Sequence, residues 1–75
     1  MVYVISGAYS DAVLWAHRAG VARSDLRYIK DRKDLRGLRP KEVFLVGQFR
    51  LSDAYGSEEM FCLQERGTKF IERKL

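Results

Sequence analysis

The residues that could do covalent or acid–base chemistry are few. The chain contains one histidine, His17, and one cysteine, Cys62. A catalytic histidine needs a pocket and a group that orients it, whereas His17 points away from the loops on a predicted helix. We expect Cys62 to be buried against a sheet in mid-helix, without the base or helix N-terminus that activates a thiol. These two residues therefore predict no catalytic site.

The acidic residues also lack a recognisable arrangement. No pair of carboxylates has the spacing typical of glycoside hydrolysis or metal binding, and a lone cysteine forms neither an intramolecular disulfide nor a zinc site. Asp53 follows a predicted strand at a position where Rossmann-like enzymes often carry a catalytic carboxylate, which is an argument from fold analogy alone. We expect a protein without enzymatic activity, metal or cofactor, located in a reducing cytoplasm.

Positive charge is concentrated in the middle of the chain. Residues 18–41 contain nine basic and three acidic side chains, a net charge of +6, whereas the whole chain carries +4. This asymmetry predicts an anionic partner, either a nucleic acid or an acidic host protein. The residues predicted to bind this partner are Arg32, Lys33, Arg36 and Arg39.

The geometry of this basic segment depends on a helical turn. A turn over residues 31–39 would place Arg32, Arg36 and Arg39 along one side, where they could reach successive phosphates. In the competing interpretation, Asp31 and Asp34 neutralise the same arginines, and the segment is only a solvated surface.

A second candidate site lies in the loops that follow two predicted strands. In a parallel sheet such loops gather at the carboxyl edge, where backbone N–H groups at a helix start favour phosphate or carboxylate. The stretch "SGAYSDA" contains neither GxGxxG nor GxxxxGK[ST], and Asp11 within it would repel a phosphate. The residues assigned to this alternative nucleotide site are Ser6, Gly7, Ser10, Gly47, Gln48 and Arg50.

Strands and helices alternate along the chain. Short apolar or alternating runs predict strands at residues 2–5, 26–30, 43–46 and 69–73. Residues 43–46 show no polar alternation, as expected for a central strand that is covered on both faces, whereas the mixed pattern of residues 26–30 indicates an edge strand. Residues 31–39 predict about one helical turn, which Pro40 ends.

Two longer helices are predicted between these strands. The first begins at Ser10, which we expect to cap it, and ends at Gly20. The second begins at Ser57, or one turn earlier, and ends at Gly67. The apolar face of the first helix comprises Ala12, Trp15, Ala16 and Ala19.

The resulting order β-α-β-(short α)-β-α-β predicts an α/β fold. We expect a miniature Rossmann-like parallel sheet of about four strands, with residues 1–75 as a single domain in two or three layers. No apolar run approaches the roughly 18 residues of a membrane span, and no basic segment precedes the first strand as in a signal peptide. We therefore expect a soluble protein with no membrane partner.

The run "LWAHRAGVARSDLRYIKDRKDLRGLRPKEVFLVGQF", from Leu14 to Phe49, resembles small uncharacterised Rossmann-like proteins of actinobacterial phages. The similarity lies in an Ala-Gly helix end, "RYI", "LRGLR" and a following apolar strand. Larger relatives of this layout resemble P-loop-like nucleotide-binding domains. Here the phosphate-binding lysine is absent from "GAYSDA", and Gly47 and Gln48 replace the expected acidic pair. The resemblance implies a phage accessory protein that acts by binding, in the host cytoplasm.

Three functions follow from these patterns. The leading one is a non-enzymatic protein that binds an anionic partner through the basic segment. The first alternative is nucleotide binding at the strand-end loops. The second alternative is self-association, in which an edge strand at residues 26–30 or 69–73 pairs across the axis of a homodimer.

Overall fold

The computed structural model describes residues 1–75 and contains one sheet of four parallel strands. The strands are β1 (Val2–Ser6), β2 (Leu26–Ile29), β3 (Glu42–Val46) and β4 (Lys69–Arg73). Their order across the sheet is β2-β1-β3-β4, so β3 is central and β2 lies at an edge, as predicted. The register aligns Val2 with Leu26, Tyr3 with Val43, and Glu42 with Lys69.

Two α-helices and three short 3₁₀ turns connect the strands. The helices are α1 (Tyr9–Arg18) and α2 (Glu58–Glu65), and the turns span Arg23–Asp25, Arg32–Leu35 and Phe49–Leu51. Because the strands are parallel, α1 and α2 each run back from the carboxyl edge of the sheet to the amino edge. The predicted order of elements is thereby confirmed.

The helices cover opposite faces of the sheet. Trp15 of α1 packs on Phe44 of β3, with 5.0 Å between ring centroids, and α1 also covers Val4 and Val46. On the other face, α2 and the second and third 3₁₀ turns enclose a separate core cluster. That cluster comprises Ile5, Ile29, Leu35, Val43, Leu45, Phe49, Ala54, Met60 and Leu63. Alternate side chains of β3 thus enter two cores, and the molecule has three layers.

The start of α1 differs from the prediction that Ser10 caps it. The helix begins at Tyr9, Ala8 is the N-cap without a side-chain hydrogen bond, and Ser10 lies inside the first turn. Its end is as predicted, because Gly20 adopts φ +76° and the Val21 N–H donates to the Ala16 carbonyl at 2.8 Å. A left-handed glycine followed by a half-buried apolar residue is a common way to end a helix.

The second helix begins at the predicted cap. The Ser57 hydroxyl oxygen accepts a hydrogen bond from the Met60 N–H at 3.2 Å, and its O–H donates to the Ala54 carbonyl at 2.7 Å. The alternative start one turn earlier is not found, because residues 52–56 form turns. Burial of Cys62 is also contradicted: the thiol is exposed, since Met60 and Leu63 take the buried side of this short helix.

These elements form a miniature Rossmann-like α/β fold, as the sequence predicts. The sheet order reverses between β1 and β3, which is the point where open α/β sheets most often bind ligands. No helix in the structure combines the length and apolar character that a membrane crossing requires.

Candidate anion-binding surface

The loops after β1 and β3 meet at the carboxyl edge of the sheet, but they pack against each other. A Cβ atom placed on Gly7 would lie 2.6 Å from the Gln48 carbonyl oxygen. Gly47 has φ +57°, and a Cβ placed there would lie 2.7 Å from the Asp11 Oδ2 atom. Gly7 therefore lies directly against the loop after β3, and Gly47 lies directly against the Asp11 carboxylate of α1.

The other residues assigned to the loop site turn in different directions. Ser6 is buried and its hydroxyl donates to the Ala8 carbonyl, while Ser10 faces a groove on the outer side of α1. Arg50 lies over the Phe49 ring at 4.6 Å and pairs with Glu72 at 3.2 Å. None of the five principal cavities of the molecule is lined by Ser6, Gly7, Gln48 or Arg50. The structure does not unite these residues around one cavity.

The basic segment forms a shorter turn than the predicted one. The Asp31 carboxylate accepts from the Lys33 N–H at 3.0 Å, and the Asp34 carboxylate accepts from the Lys30 N–H at 2.9 Å. These contacts hold the 3₁₀ turn Arg32–Leu35, after which Arg36 is extended with ψ 130°. A second turn follows at Arg36 and Gly37, where the Leu38 N–H donates to the Leu35 carbonyl at 3.3 Å, and the segment then descends to the amino edge of the sheet.

Two of the four predicted binding residues form ion pairs, with partners that differ from the expected ones. Arg32 pairs with Asp53 at 3.8 Å, and Arg36 pairs with Glu59 at 3.0 Å. Asp31 and Asp34 form no ion pair, because they hydrogen-bond to backbone N–H groups instead. The carboxylate of Asp53 also accepts from the Arg32 N–H at 3.3 Å. In the structure Asp53 thus links two loops, and it lines none of the five principal cavities.

The Arg36–Glu59 pair is electrostatically distinctive. A hydrogen bond from its own backbone N–H, followed by the hydrogen bond and charge of Arg36, holds the pKa of Glu59 below the ordinary value of 4.5. The lowered pKa keeps Glu59 ionised at neutral pH, so its carboxylate faces Arg36 before any partner arrives.

Three other cations line a single cleft at the amino edge of the sheet. Arg39, Lys41 and Arg66 surround a space of about 290 Å³ between the start of β3 and the end of α2. No acidic residue lines this space, and none of the three forms an ion pair. We refer to Arg39, Lys41 and Arg66 with the space between them as the cationic cleft.

The walls of the cationic cleft are fixed by hydrogen bonds between distant segments. The Thr68 hydroxyl donates to the Pro40 carbonyl at 2.7 Å, and the Lys69 N–H donates to the Lys41 carbonyl at 2.9 Å. These bonds hold the segment before β4 against the segment before β3. The backbone segments that carry Arg39, Lys41 and Arg66 are therefore held next to each other.

The sequence indicates part of this cleft. Arg39 is among the predicted binding residues, and Lys41 belongs to the basic segment, whereas Arg66 is missed because it lies 27 residues after Arg39. A basic residue before a helix-ending glycine is ordinarily attributed to the helix dipole. Arg66 lies beside Arg39 and Lys41 only because the chain passes from α2 into β4, which runs parallel to β3. The remaining predicted residue, Lys33, is exposed and forms no ion pair.

The rest of the chemistry-bearing residues form no further cluster. His17 is exposed on α1, and no group of three or more His, Cys, Asp or Glu side chains could hold a metal ion. Comparisons with protein-family models, with curated proteins and with solved structures return no match for this chain. Fold and site together therefore describe a miniature Rossmann-like domain with a cationic cleft at its amino edge.

Proposed function

We propose that this chain is a small, non-enzymatic phage accessory protein that acts in the host cytoplasm by binding the phosphate backbone of a nucleic acid. The observation that supports the proposal is the cationic cleft, where three basic side chains from two parts of the chain line one space that no acidic residue lines. The proposed binding residues are Arg39, Lys41 and Arg66. Arg32 and Arg36 are left out because each already faces a carboxylate, Asp53 and Glu59 respectively.

The chemistry of the three side chains suits phosphate. Arg39 and Arg66 each offer a planar fork of N–H donors that can bind two phosphate oxygens, and Lys41 adds a compact positive charge. Lys33 lies on the same descending segment and extends the positive surface toward the carboxyl edge. Such an arrangement contacts backbone phosphates rather than base edges, so we expect binding that depends weakly on sequence and strongly on salt.

A nucleic acid is favoured over an acidic host protein by the character of the cleft. Hot spots between proteins are centred on desolvated aromatic or large apolar anchors. The cationic cleft contains only Pro40 and Leu63 as apolar walls, and Leu63 is buried in the core. Nucleotide binding at the strand-end loops has less support, because the residues assigned to it share no cavity: Ser10 and Gly47 line different ones.

The test is a binding titration with fluorescently labelled single-stranded and duplex DNA and RNA over a range of salt concentrations. We expect the double variant Arg39→Glu with Arg66→Glu to lose at least about tenfold in affinity at low salt. Removing two phosphate contacts should also reduce the slope of log affinity against log salt by roughly two. The matched control is Arg18→Glu with Arg27→Glu, which changes net charge equally but lies outside the cleft.

The control variant distinguishes binding at the cationic cleft from general electrostatic attraction between the chain and nucleic acid. If both double variants lose affinity equally, the cleft is not the binding site. If the wild-type chain binds none of the four nucleic acids at low salt, the proposed function is wrong.

A further inference from the structure

The outer flank of α1 carries an apolar groove that the cationic cleft does not involve. It lies between α1 and the segment that folds back after Gly20, and it encloses about 760 Å³. Its walls include Val13, Leu14, Val21 and Ala22, and Leu14 is 40 % exposed. A groove of this size with apolar walls is a common feature of binding sites.

Aromatic and basic side chains form one end of the groove. The Arg23 guanidinium donates to the Tyr9 hydroxyl at 3.4 Å, and the Tyr9 ring packs edge-on against Tyr28 with 5.4 Å between centroids. No acidic residue lines the groove, and neither Arg23 nor the nearby Arg18 forms an ion pair. The groove therefore favours an apolar side chain that is flanked by negative charge.

The opposite face of the molecule presents such a side chain. Phe61 of α2 is 60 % exposed, because Met60 and Leu63 take the buried positions of the helix. Glu58 and Glu65 lie three residues before and four residues after Phe61, so they share its face of the helix. Neither glutamate forms an ion pair. Among the exposed apolar side chains outside the groove, Phe61 alone is aromatic.

We propose that a second copy of this chain occupies the groove, with Phe61 inserted between Val13 and Val21 and its two glutamates facing Arg18 and Arg23. Charge complementarity supports this occupant, since unpaired acids on one face match unpaired bases on the other. The contact is heterologous, because α1 and α2 lie on opposite faces of the sheet. One copy can donate Phe61 while its own groove receives the next copy, so association builds rings or open chains.

A heterologous contact has a distinctive complementation test. Light scattering coupled to size exclusion should show the mass of the wild-type chain rising above 8.7 kDa with concentration. Phe61→Ala removes the inserted ring and Leu14→Asp places a negative charge in the groove, so each variant alone should remain a monomer. Both positions are exposed, and circular dichroism checks that each variant folds.

Mixing the two variants completes the test. The Phe61→Ala chain retains an intact groove and the Leu14→Asp chain retains Phe61, so an equimolar mixture should form a complex of two chains that grows no further. A wild-type chain that stays monomeric, or a mixture that does, would overturn the proposal. If both variants still associate like the wild type, edge-strand pairing explains the association and the groove contact is wrong.

Discussion

At the scale of single residues, two glycines determine how closely the segments after β1 and β3 approach each other. Gly47 needs its positive φ, and the Asp11 carboxylate occupies the space where its side chain would lie. Gly7 has no such backbone requirement, but it lies directly against the Gln48 carbonyl. The sequence places both glycines at strand ends, yet it does not reveal that each accommodates an atom of the opposite loop.

The first prediction concerns Gly7→Ala. The added Cβ would lie 2.6 Å from a backbone oxygen that cannot move cheaply. Since inserting a methyl group into packed structure typically costs about 1–3 kcal/mol, we expect the free energy of unfolding to fall by that amount in urea titrations. Gly37→Ala is the comparison, because a Cβ there meets nothing within 4 Å and only the φ of +77° opposes it. A Gly7→Ala protein as stable as the wild type would show that the two loops are not in contact.

The second prediction concerns Glu59 and pH. Because the pKa of Glu59 is lowered in the folded state, its contribution to stability is fully present above the ordinary value of 4.5. That contribution is lost as the pH falls through the lowered pKa. Glu59→Gln should therefore reduce the difference in unfolding free energy between neutral pH and about pH 3. The neighbouring Glu58→Gln, which breaks no ion pair, serves as the control. Equal pH profiles for the two variants would rule out the contribution from Glu59.

At the scale of elements, the helix starts show what local sequence determines. Ser57 and Ser10 both precede apolar residues at helical spacing, and sequence rules assign a cap to each. The structure gives a side-chain cap to Ser57 alone, since α1 begins at Tyr9 with Ala8 as its N-cap, one residue before Ser10. A candidate cap residue therefore fixes a helix start only to within one or two residues, and its side chain need not form the cap hydrogen bond.

The third prediction compares these two serines. Ser57→Ala removes the acceptor for the Met60 N–H and the donor to the Ala54 carbonyl, so we expect a loss of about 1 kcal/mol. Ser10→Ala removes no side-chain hydrogen bond of a cap, and its effect should stay within about 0.5 kcal/mol. Thermal and chemical unfolding of both variants measure the difference. Equal losses would mean that Ser10 contributes as much as the N-cap of α2.

The conformation of the basic segment is only partly determined by its local sequence. Pro40 and the two leucines correctly indicate about one turn between β2 and β3. The direction of each arginine could not be deduced, because Arg32 and Arg36 are held by Asp53 and Glu59 of a later segment. Long-range ion pairs have no signature in local spacing, so the predicted row of cations is reduced to Arg39 and the exposed Lys33.

At the scale of the whole molecule, the sheet joins two cores that could behave as separate layers. Strands β1 and β3 link the two cores, because successive side chains along each strand enter opposite cores. The strand order β2-β1-β3-β4 comes from the structure alone. Parallel pairing and the covered central strand follow from the alternation of strands and helices and from the apolar run at residues 43–46 in the sequence. The proximity of Arg66 to Arg39 does not follow from the sequence, because the two residues meet only when the chain is folded.

The fourth prediction is that the two layers unfold together. Trp15 is 8 % exposed and reports on the α1 layer, whereas a Trp15→Phe, Tyr55→Trp variant moves the reporter to the other layer. Unfolding followed by tryptophan fluorescence and by far-UV circular dichroism should coincide in both proteins. The measurement is a urea titration with both probes. Midpoints that separate for one reporter only would mean that its layer opens independently.

The position of β1 has a consequence for biosynthesis. Val2 to Ser6 leave the ribosome before the rest of this chain, yet Tyr3 pairs with Val43, which is added 40 residues later. Until β3 emerges, β1 exposes apolar side chains and one unpaired backbone edge, which are features that molecular chaperones recognise. Because the sheet forms only by pairing strands that are distant in sequence, we expect slow folding for a domain of this size. We also expect the yield of folded protein to depend on the supply of chaperones.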